Sequence, residues 1–495
     1  MGLLHLTALS LSLLSLLSTL ATADTCAAVQ GLTNIASYRT PQAPYTTEQH
    51  QYWSAACTAL EPSCILYPST ARQVAAIIAI LAANDEHFAI KSGGHNPNAY
   101  FASTAGGPLI STRDLDEIAL DPRTGRVRVG PGNRWDAVAA ELHGSGWAVV
   151  GGRIGNVGVG GLLLGGGLSY LTQQYGWAAS SILEVEVVLA NGSIVTASKT
   201  QHADLFTALK GGGNNFGVVT SFLLQGYRLG QVYGGNLYFN RSAATDAALL
   251  DALRDFTEHN TDDKAAIILT ASRDGAGVDI WGMFVFYDGP APPRGTFDAF
   301  TAVGPVLDTA RTRSYADLMA DSNQFVRRGS VYTMATETLP LPAAAHGAAV
   351  LGDLHRFWRG VSQPAGVTSI IGYQPFPKRM ARVSRAKGGD MLDLDDDVDR
   401  IIFEFSYNYV GWQDPARIDR LIKKILSGVR DRVVRWQEKG LLKKGVYLPL
   451  FMNDAYHSQD YFGRLRPKNK KLAKDVAAKV DPKGLFKNRT GGFKP

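Results

Sequence analysis

The alternation of apolar and polar positions between residues 64 and 90 predicts a strand, a helix and a second strand. Residues 64–67 form a short apolar run, the apolar residues of 74–81 recur with helical spacing, and residues 88–90 are apolar again. Ser69 precedes the helical segment and is its expected N-cap. The chain is therefore expected to begin its folded part with a β-α-β unit.

The pattern changes near residue 230. Glycine is frequent between residues 93 and 217, whereas longer alternating strands, such as 279–287 and 401–410, follow later. The last residues return to loops and one helix. The sequence thus predicts an α+β fold with these parts: a first domain over 24–230, a second domain over 231–450 built on an antiparallel sheet flanked by helices, and a C-terminal segment, 451–495, that returns to the first domain.

Composition and charge narrow the functional classes. The chain has 495 residues, of which 45% are hydrophobic and 19% charged, as in ordinary globular proteins of two or three packed units. The net charge of +6 is mild, and much of the basic excess lies in residues 464–487 rather than along an aromatic-studded stripe. This distribution argues against a nucleic-acid partner.

The N-terminal residues have the pattern of a secretory signal peptide. A leucine-rich run is followed by Ala21-Thr22-Ala23, the small-x-small pattern of a cleavage site. The run is interrupted by Ser and Thr and is shorter than the roughly 20 apolar residues of a spanning helix. We expect residues 1–23 to be removed, the mature chain to be secreted, and no segment to span a membrane.

A secreted chain favours a disulfide and glycosylation. The cysteines are Cys26, Cys57 and Cys64, and an oxidising compartment favours pairing two of them. We prefer the pair Cys26–Cys64, which would tie the terminus to the first strand, while Cys57 remains an alternative partner. The spacing does not match a zinc site, and no metal is expected. Acceptor triplets for N-glycosylation begin at Asn191, Asn240 and Asn488.

Three glycine clusters carry the chemistry of the first domain. The segment Lys91-Ser92-Gly93-Gly94-His95 leaves a predicted strand, and the other clusters occupy residues 155–167 and 211–217. Glycines let the backbone approach a flat ligand closely, and successive N–H groups can face a pyrophosphate. A histidine at position 95 can then be a base, a metal ligand or a covalent tether. The alternative interpretation is that the glycines serve only turns and packing.

Other nucleotide and hydrolase motifs are absent from the sequence. Neither the dinucleotide fingerprint G-x-G-x-x-G after a first strand nor the phosphate loop G-x-x-x-x-G-K-[ST] occurs. The nucleophile elbow G-x-S-x-G and the zinc-protease motif H-E-x-x-H are also missing.

Taken in order, the motifs resemble those of the berberine-bridge-enzyme-like FAD-linked oxidoreductases, in the vanillyl-alcohol oxidase and p-cresol methylhydroxylase (PCMH-type FAD-binding) superfamily. The resemblance covers nearly the whole mature chain and is weakest between residues 230 and 370. The motifs are Pro62-x-Cys64-Ile65-x-x-Pro68, Lys91-Ser92-Gly93-Gly94-His95, Val129-Gly130-Pro131-Gly132-x-x-Trp135, Val157-Gly158-x-Gly160-Gly161, Gly165-Gly166-Gly167, residues 204–217 and Asp481-Pro482-x-Gly484-x-Phe486.

The resemblance implies FAD, held in a first domain of two α+β subdomains. It assigns His95 as the residue bonded to the 8α carbon of the flavin. Many relatives add a bond to a cysteine just before the V-G-x-G-G motif, but residues 152–156 here contain no cysteine, so the tether is expected through one histidine. The implied cofactor-binding residues are Ser92, Gly93, Gly94, His95, Val157, Gly158, Gly160, Gly161, Gly165, Gly166, Gly217, Val219 and Asn453.

The active-site base does not transfer directly. Plant relatives use a glutamate in a strand of the substrate domain, and our register places Arg385 there. Asp390 is then the preferred candidate, with Arg385 close enough in sequence to keep it ionised. Tyr407 and Tyr409 are further candidates on a strand whose alternation places Phe403, Phe405, Tyr407 and Tyr409 on one face and Glu404, Ser406 and Asn408 on the other.

The expected function is that of a secreted, monomeric oxidase. It would transfer a hydride from a small organic substrate, a secondary metabolite, to covalent FAD, and oxygen would be reduced to hydrogen peroxide. Two alternatives remain open: a sugar or oligosaccharide oxidase, and a flavin-bearing cyclase that shapes a reactive polyketide or alkaloid.

Overall fold

The computed structural model describes residues 24–32, 34–361, 364–411 and 413–495, and the expected signal peptide lies outside them. Helices and three sheets alternate along this part of the chain. Antiparallel pairing dominates, and the predicted α+β class is confirmed.

The first sheet is small and has four strands in the order β1-β2-β4-β3. Its strands are β1 (Ala36–Tyr38), β2 (Ile65–Tyr67), β3 (Ala89–Lys91) and β4 (Leu109–Ser111). Strand β4 lies between β2 and β3 and is parallel to both. The helices of this part are α1 (Thr25–Leu32), α2 (Ala43–Gln49), α3 (Ala55–Thr58) and α4 (Ala71–Ala82).

Helix α4 completes the expected β-α-β unit with β2 and β3. Its N-cap is Thr70, whose hydroxyl accepts a hydrogen bond from the Gln73 backbone N–H at 3.2 Å. Ser69 is therefore one residue too early; its own N–H donates instead to the Gln73 side chain. The apolar face of α4 is fully buried, which holds the helix against the sheet.

The disulfide joins Cys26 to Cys64, with 6.0 Å between their Cα atoms. It ties α1 to the start of β2, as expected from the sequence. Cys57 is a buried free thiol, and burial raises its pKa to about 11. The alternative pairing through Cys57 is therefore wrong.

The second sheet has six strands, five of them in the order β5-β6-β10-β8-β9, while β7 pairs with β10. The strands are β5 (Ile118–Asp121), β6 (Arg126–Val129), β7 (Trp147–Val149), β8 (Ile182–Val188), β9 (Ile194–Ser198) and β10 (Val218–Arg228). The helices between them are α5 (Trp135–Glu141), α6 (Val159–Leu164), α7 (Thr172–Tyr175) and α8 (Ala203–Leu209). The second and third glycine clusters occupy connections of this sheet, whereas the first follows β3 of the first sheet.

The third sheet has eight strands, seven in the order β14-β11-β13-β12-β17-β18-β16, while β15 pairs with β11. The strands are β11 (Val232–Asn240), β12 (Ala265–Arg273), β13 (Asp279–Tyr287), β14 (Leu307–Asp308), β15 (Arg311–Arg313), β16 (Val331–Pro340), β17 (Thr368–Phe376) and β18 (Arg400–Tyr409). The helices are α9 (Ala243–His259), α10 (Asp298–Thr301), α11 (Tyr315–Asp321), α12 (Asp353–Gly360), α13 (Lys378–Ala386) and α14 (Pro415–Glu438). Helices α9, α12 and α14 bury their apolar residues against one face of this sheet.

The C-terminal residues pack on the first two sheets. Helix α15 (Pro467–Val480) contributes Ala473, Val476 and Val480 to the core of the second sheet. Helix α16 (Leu485–Arg489) places Phe486 in the core of the first sheet. The chain therefore returns across the glycine loops after leaving the third sheet.

Candidate functional site

A cavity of about 320 Å³ lies where the three glycine clusters meet the third sheet and the C-terminal segment. Most of the cofactor-binding residues expected from the sequence lie on its wall: Ser92, Gly93, Gly94, His95, Val157, Gly158, Gly160, Gly161, Gly165, Gly217, Val219 and Asn453. Gly166 does not line this cavity, and a Cβ built on it would lie 3.0 Å from Leu392. Its contact with the cofactor stays a prediction.

The first two glycine clusters pack directly against each other. A Cβ on Gly93 would lie 2.4 Å from the Gly158 backbone nitrogen, so no larger residue fits there. The Ser92 hydroxyl joins the two loops by donating to the Pro131 carbonyl at 2.6 Å and accepting from the Gly160 N–H at 3.2 Å. By contrast, a Cβ on Gly161 would meet nothing within 4 Å, which leaves room for a ligand against the backbone.

His95 lies in this wall with a neutral, partly buried imidazole. Burial and the nearby Arg134 guanidinium lower its pKa to about 3. Its ring stacks on Trp53, with 4.6 Å between centroids, and Trp53 stacks in turn on Tyr332 at 4.2 Å. The Nε2 atom of His95 is buried and has no hydrogen-bond partner within the described part of the chain. An imidazole in the wall of a glycine-lined cavity fits the tether expected from the sequence.

Asn453 fastens the C-terminal segment to the second glycine cluster. Its amide donates to the Gly161 carbonyl at 3.1 Å and accepts from the Gly167 N–H at 3.1 Å. A Cβ on Gly165 would overlap this amide at 2.4 Å, so a glycine is needed for the approach. Asn453 therefore shapes the loop from inside the cavity. Phe451, two residues earlier, stacks on Trp177.

Glu404, on β18, lies in the cavity wall on the side of the third sheet. Its strand neighbours are Thr336 on β16 and Gly372 on β17, and the absence of a side chain on Gly372 leaves space beside the carboxyl group. Burial raises the pKa of Glu404, and the neighbouring Asp454 carboxyl raises it further. The sequence analysis missed Glu404 as a candidate base.

Glu404 lies beside a small polar network formed by Arg153, Gln374 and Asp454. The Gln374 amide donates to the Asp454 carboxylate at 2.9 Å and accepts a hydrogen bond from the Arg153 guanidinium. Burial raises the pKa of Asp454, while Arg153 lowers the pKa of both acids. The pKa of Glu404 therefore depends on two opposing charges. The Asp454 carboxyl group raises it, and the Arg153 guanidinium lowers it.

Asp390 does not reach the cavity. Its carboxylate accepts the backbone N–H groups of Leu392 at 2.9 Å and Asp393 at 3.0 Å, which closes a local turn. Burial raises the pKa of Asp390, and the nearby cation is Lys210. Arg385 lies on helix α13, not on a strand, and pairs with Asp393 at 3.0 Å. The assignment of Asp390 as the base, with Arg385 as its partner, is therefore wrong.

Tyr407 and Tyr409 are also wrong as candidates. Both are buried with Phe403 and Phe405 in the core beneath helices α9, α12 and α14. Burial raises the pKa of both phenols. The alternation of β18 was correctly described, but its opposite face, which carries Glu404, is the one that meets the cavity. Glu404, a polar residue in that alternation, was the sequence signal for this side of the site.

Three further expectations concern glycosylation sites, metal ions and membrane-spanning segments. The side chains of Asn191, Asn240 and Asn488 are exposed. Among the described residues, no group of His, Cys, Asp and Glu is arranged to hold a metal ion. None of the helices in those ranges has the length and apolar character needed to cross a bilayer.

This glycine-lined cavity, with His95, Glu404 and Asp454 in its wall, suits a flavin-dependent oxidoreductase. Residues 62–198 match a family described as an FAD binding domain. An uncharacterized FAD-linked oxidoreductase of Arthroderma benhamiae is 38% identical over 457 residues, which span 91% of this chain and 90% of the relative. An FAD-dependent monooxygenase of Fusarium proliferatum is 33% identical over 459 residues, 90% of this chain and 87% of the relative.

Solved structures share the fold. Glucooligosaccharide oxidase from Acremonium strictum superposes with a TM-score of 0.77 at 18% identity, covering 95% of this chain and 99% of the other. Berberine bridge enzyme superposes with a TM-score of 0.73 at 15% identity, covering 96% and 99%. The chain belongs to the family of FAD-linked oxidoreductases that includes the Arthroderma relative, and it shares the fold of berberine bridge enzyme. It is an FAD-dependent enzyme.

Proposed function

We propose that this protein is a secreted oxidase that holds FAD through one covalent bond to His95 and oxidises a small secondary metabolite. The observation that carries the proposal is the position of His95, directly after Gly93 and Gly94, in the cavity wall that also contains Glu404. The glucooligosaccharide oxidase structure is described as having a 6-S-cysteinyl, 8α-N1-histidyl FAD. This chain has Ile154 and no cysteine in the segment 152–156, which supports a single tether.

The glycine loops and His95 would hold FAD, which would supply the two-electron chemistry that links hydride removal from the substrate to the reduction of oxygen to hydrogen peroxide. The residues of this chain supply position and proton transfer. Glu404, in its ionised form, accepts the proton from the hydroxyl or amine on the carbon that loses the hydride. Gln374 donates to the neighbouring Asp454 carboxyl group, and Arg153 donates in turn to Gln374. The neutral imidazole of His95 is fixed by its stack on Trp53.

Denaturation in acid tests the tether. The precipitated protein should stay yellow, and a peptide containing His95 should carry the mass of the flavin. His95→Ala should lose the colour on precipitation, whereas His87→Ala, at an exposed histidine of the same domain, should keep it. Complete release of FAD from the unchanged protein would disprove a covalent bond.

The fate of oxygen separates the oxidase from its alternatives. An oxidase releases one hydrogen peroxide for each product and places no atom of isotopically labelled O₂ in that product. A monooxygenase, the activity named for the Fusarium relative, would place one there. A cyclase would convert its substrate without reducing the flavin in the absence of oxygen. Panels of alcohols, sugars and alkaloids should be screened first for peroxide release.

A biosynthetic substrate is supported by a further relative. The bifunctional solanapyrone synthase of Alternaria solani is 29% identical over 472 residues, 95% of this chain and 88% of the relative. Secretion and a monomeric state complete the proposal. Protein from the native host should begin near Asp24 and carry sugar on at least one of the exposed residues Asn191, Asn240 and Asn488. An intact Met1 and an unmodified mass would refute this compartment.

A further inference from the structure

A second cavity, of about 310 Å³, lies between helix α5, strand β7 and helix α11. Gly151 and Gly152 belong to its wall, while the following residues, Arg153 and Ile154, belong to the wall of the flavin cavity. The two cavities therefore share one segment of backbone as a partition. The mouth of the second cavity is reachable from solvent, because its lining includes the exposed residues His143, Gly144, Gly146, Gly230 and Gln231.

The lining of this second cavity suits an uncharged aromatic ligand. No Asp, Glu, Lys or Arg is found among the described residues that line it. A charged ligand would lose its hydration there without gaining an ion pair. Three aromatic side chains, Trp135, Trp147 and Tyr315, contribute to the wall. Its buried floor is apolar and consists of Val138, Leu142, Val149 and Met319.

Trp135 supplies a directional hydrogen-bond donor. Its side chain is 2% exposed, and its Nε1 atom has no hydrogen-bond partner within the described ranges. The indole lies flat against the partition, because a Cβ on Gly151 or Gly152 would fall 2.4 or 2.6 Å from its ring. The backbone around it is fixed as well, since the backbone N–H of Trp135 donates to the Val157 carbonyl at 3.1 Å. The unpaired N–H is thus held in place for an incoming acceptor.

The volume sets the size of the ligand. An engineered apolar cavity of about 150 Å³ accommodates benzene. The present cavity is about twice as large, and it lies at the lower end of the roughly 300–1,000 Å³ found for ligand pockets. Two fused rings fit this space, whereas a peptide segment does not.

We propose that this second cavity is a binding site for a small, planar, uncharged aromatic molecule whose hydrogen-bond acceptor pairs with Nε1 of Trp135. The site is distinct from the flavin cavity, and its occupant rests on the partition that carries Arg153. The proposal does not depend on the identity of the oxidised substrate.

Calorimetric titration of the flavin-loaded protein with quinoline and naphthalene tests the proposal. The two molecules have the same shape, are uncharged at neutral pH, and differ by one acceptor nitrogen. Quinoline should bind roughly 3- to 10-fold more tightly, the effect of one net hydrogen bond. In Trp135→Phe, which keeps a ring but removes the N–H, this preference should disappear. An unchanged preference in a folded Trp135→Phe would overturn the assignment of the acceptor.

A matched pair of variants on helix α5 locates the site. Ala139→Leu adds volume inside the cavity and should abolish binding of quinoline, whereas Ala140→Leu, at the exposed neighbouring position, should leave it unchanged. If Ala139→Leu does not fold, Ala316→Leu fills the same cavity from α11. Failure of the unchanged protein to bind either probe, or binding that survives filling of the cavity, would disprove the proposal.

Discussion

At the scale of single residues, Glu404 is the group on which proton transfer should depend. Acid–base help of this kind is worth ~10²–10⁴ in rate. Glu404→Gln should therefore slow anaerobic reduction of the flavin by roughly that factor, measured by stopped-flow absorbance with a substrate identified by peroxide release. Tyr407→Phe is the control, because its phenol lies in the core and should not affect the rate. Equal rates for the Glu404→Gln and unchanged enzymes would place the base elsewhere.

The pH dependence of flavin reduction should reflect the charged groups next to Glu404. The base acts when ionised, so the rate rises with pH through its pKa. Asp454 raises that pKa and Arg153 lowers it. Asp454→Asn should therefore move the acidic limb of the rate profile to lower pH, and Arg153→Gln should move it to higher pH. A limb that stays in place in both variants would show that a different group controls the step.

At the scale of elements, the contact between the C-terminal segment and the second glycine cluster depends on Asn453. Its amide is the partner of the Gly161 carbonyl and the Gly167 N–H. Asn453→Ala leaves these groups unpaired, and we expect the free energy of unfolding to fall by about 1–3 kcal/mol in a urea titration. The exposed Asn34→Ala should change it by less than about 0.5 kcal/mol. Similar values for both variants would mean that water replaces the amide without loss.

At the scale of the whole molecule, the disulfide is the covalent link between the N-terminal helix α1 and the first sheet. It closes a loop with a sequence separation of 38 residues. Restricting such a loop in the unfolded chain is worth about 4 kcal/mol in the chain-entropy description. The double variant Cys26→Ser, Cys64→Ser should lose stability of this order in chemical denaturation. Cys57→Ala removes no disulfide and should lose clearly less stability. Equal losses in the two variants would contradict the Cys26–Cys64 pairing.

The local sequence was sufficient to locate the cofactor side of the site. The left-handed backbone of Gly94 (φ +69°) and the position of His95 directly after it depend on neighbouring residues in the chain, whereas the close packing of Gly93 is against the distant Gly158. Glycine is favoured at a left-handed backbone position because it has no Cβ, and this preference can be recognised from the sequence. The β-α-β start and the change of pattern near residue 230 were equally visible, because hydrophobic spacing reflects which face of each element is buried.

The tertiary structure alone decided which residues meet across the cavity. Alternation along β18 defines two faces, but it does not say which one receives helices α9, α12 and α14; their packing buries Tyr407 and leaves Glu404 facing the flavin loops. Arg153, Gln374 and Asp454 are far apart in the chain and meet only when the third sheet and the C-terminal segment close on the glycine clusters. Sequence spacing therefore determined the elements and the histidine, whereas long-range packing determined the acid that faces it.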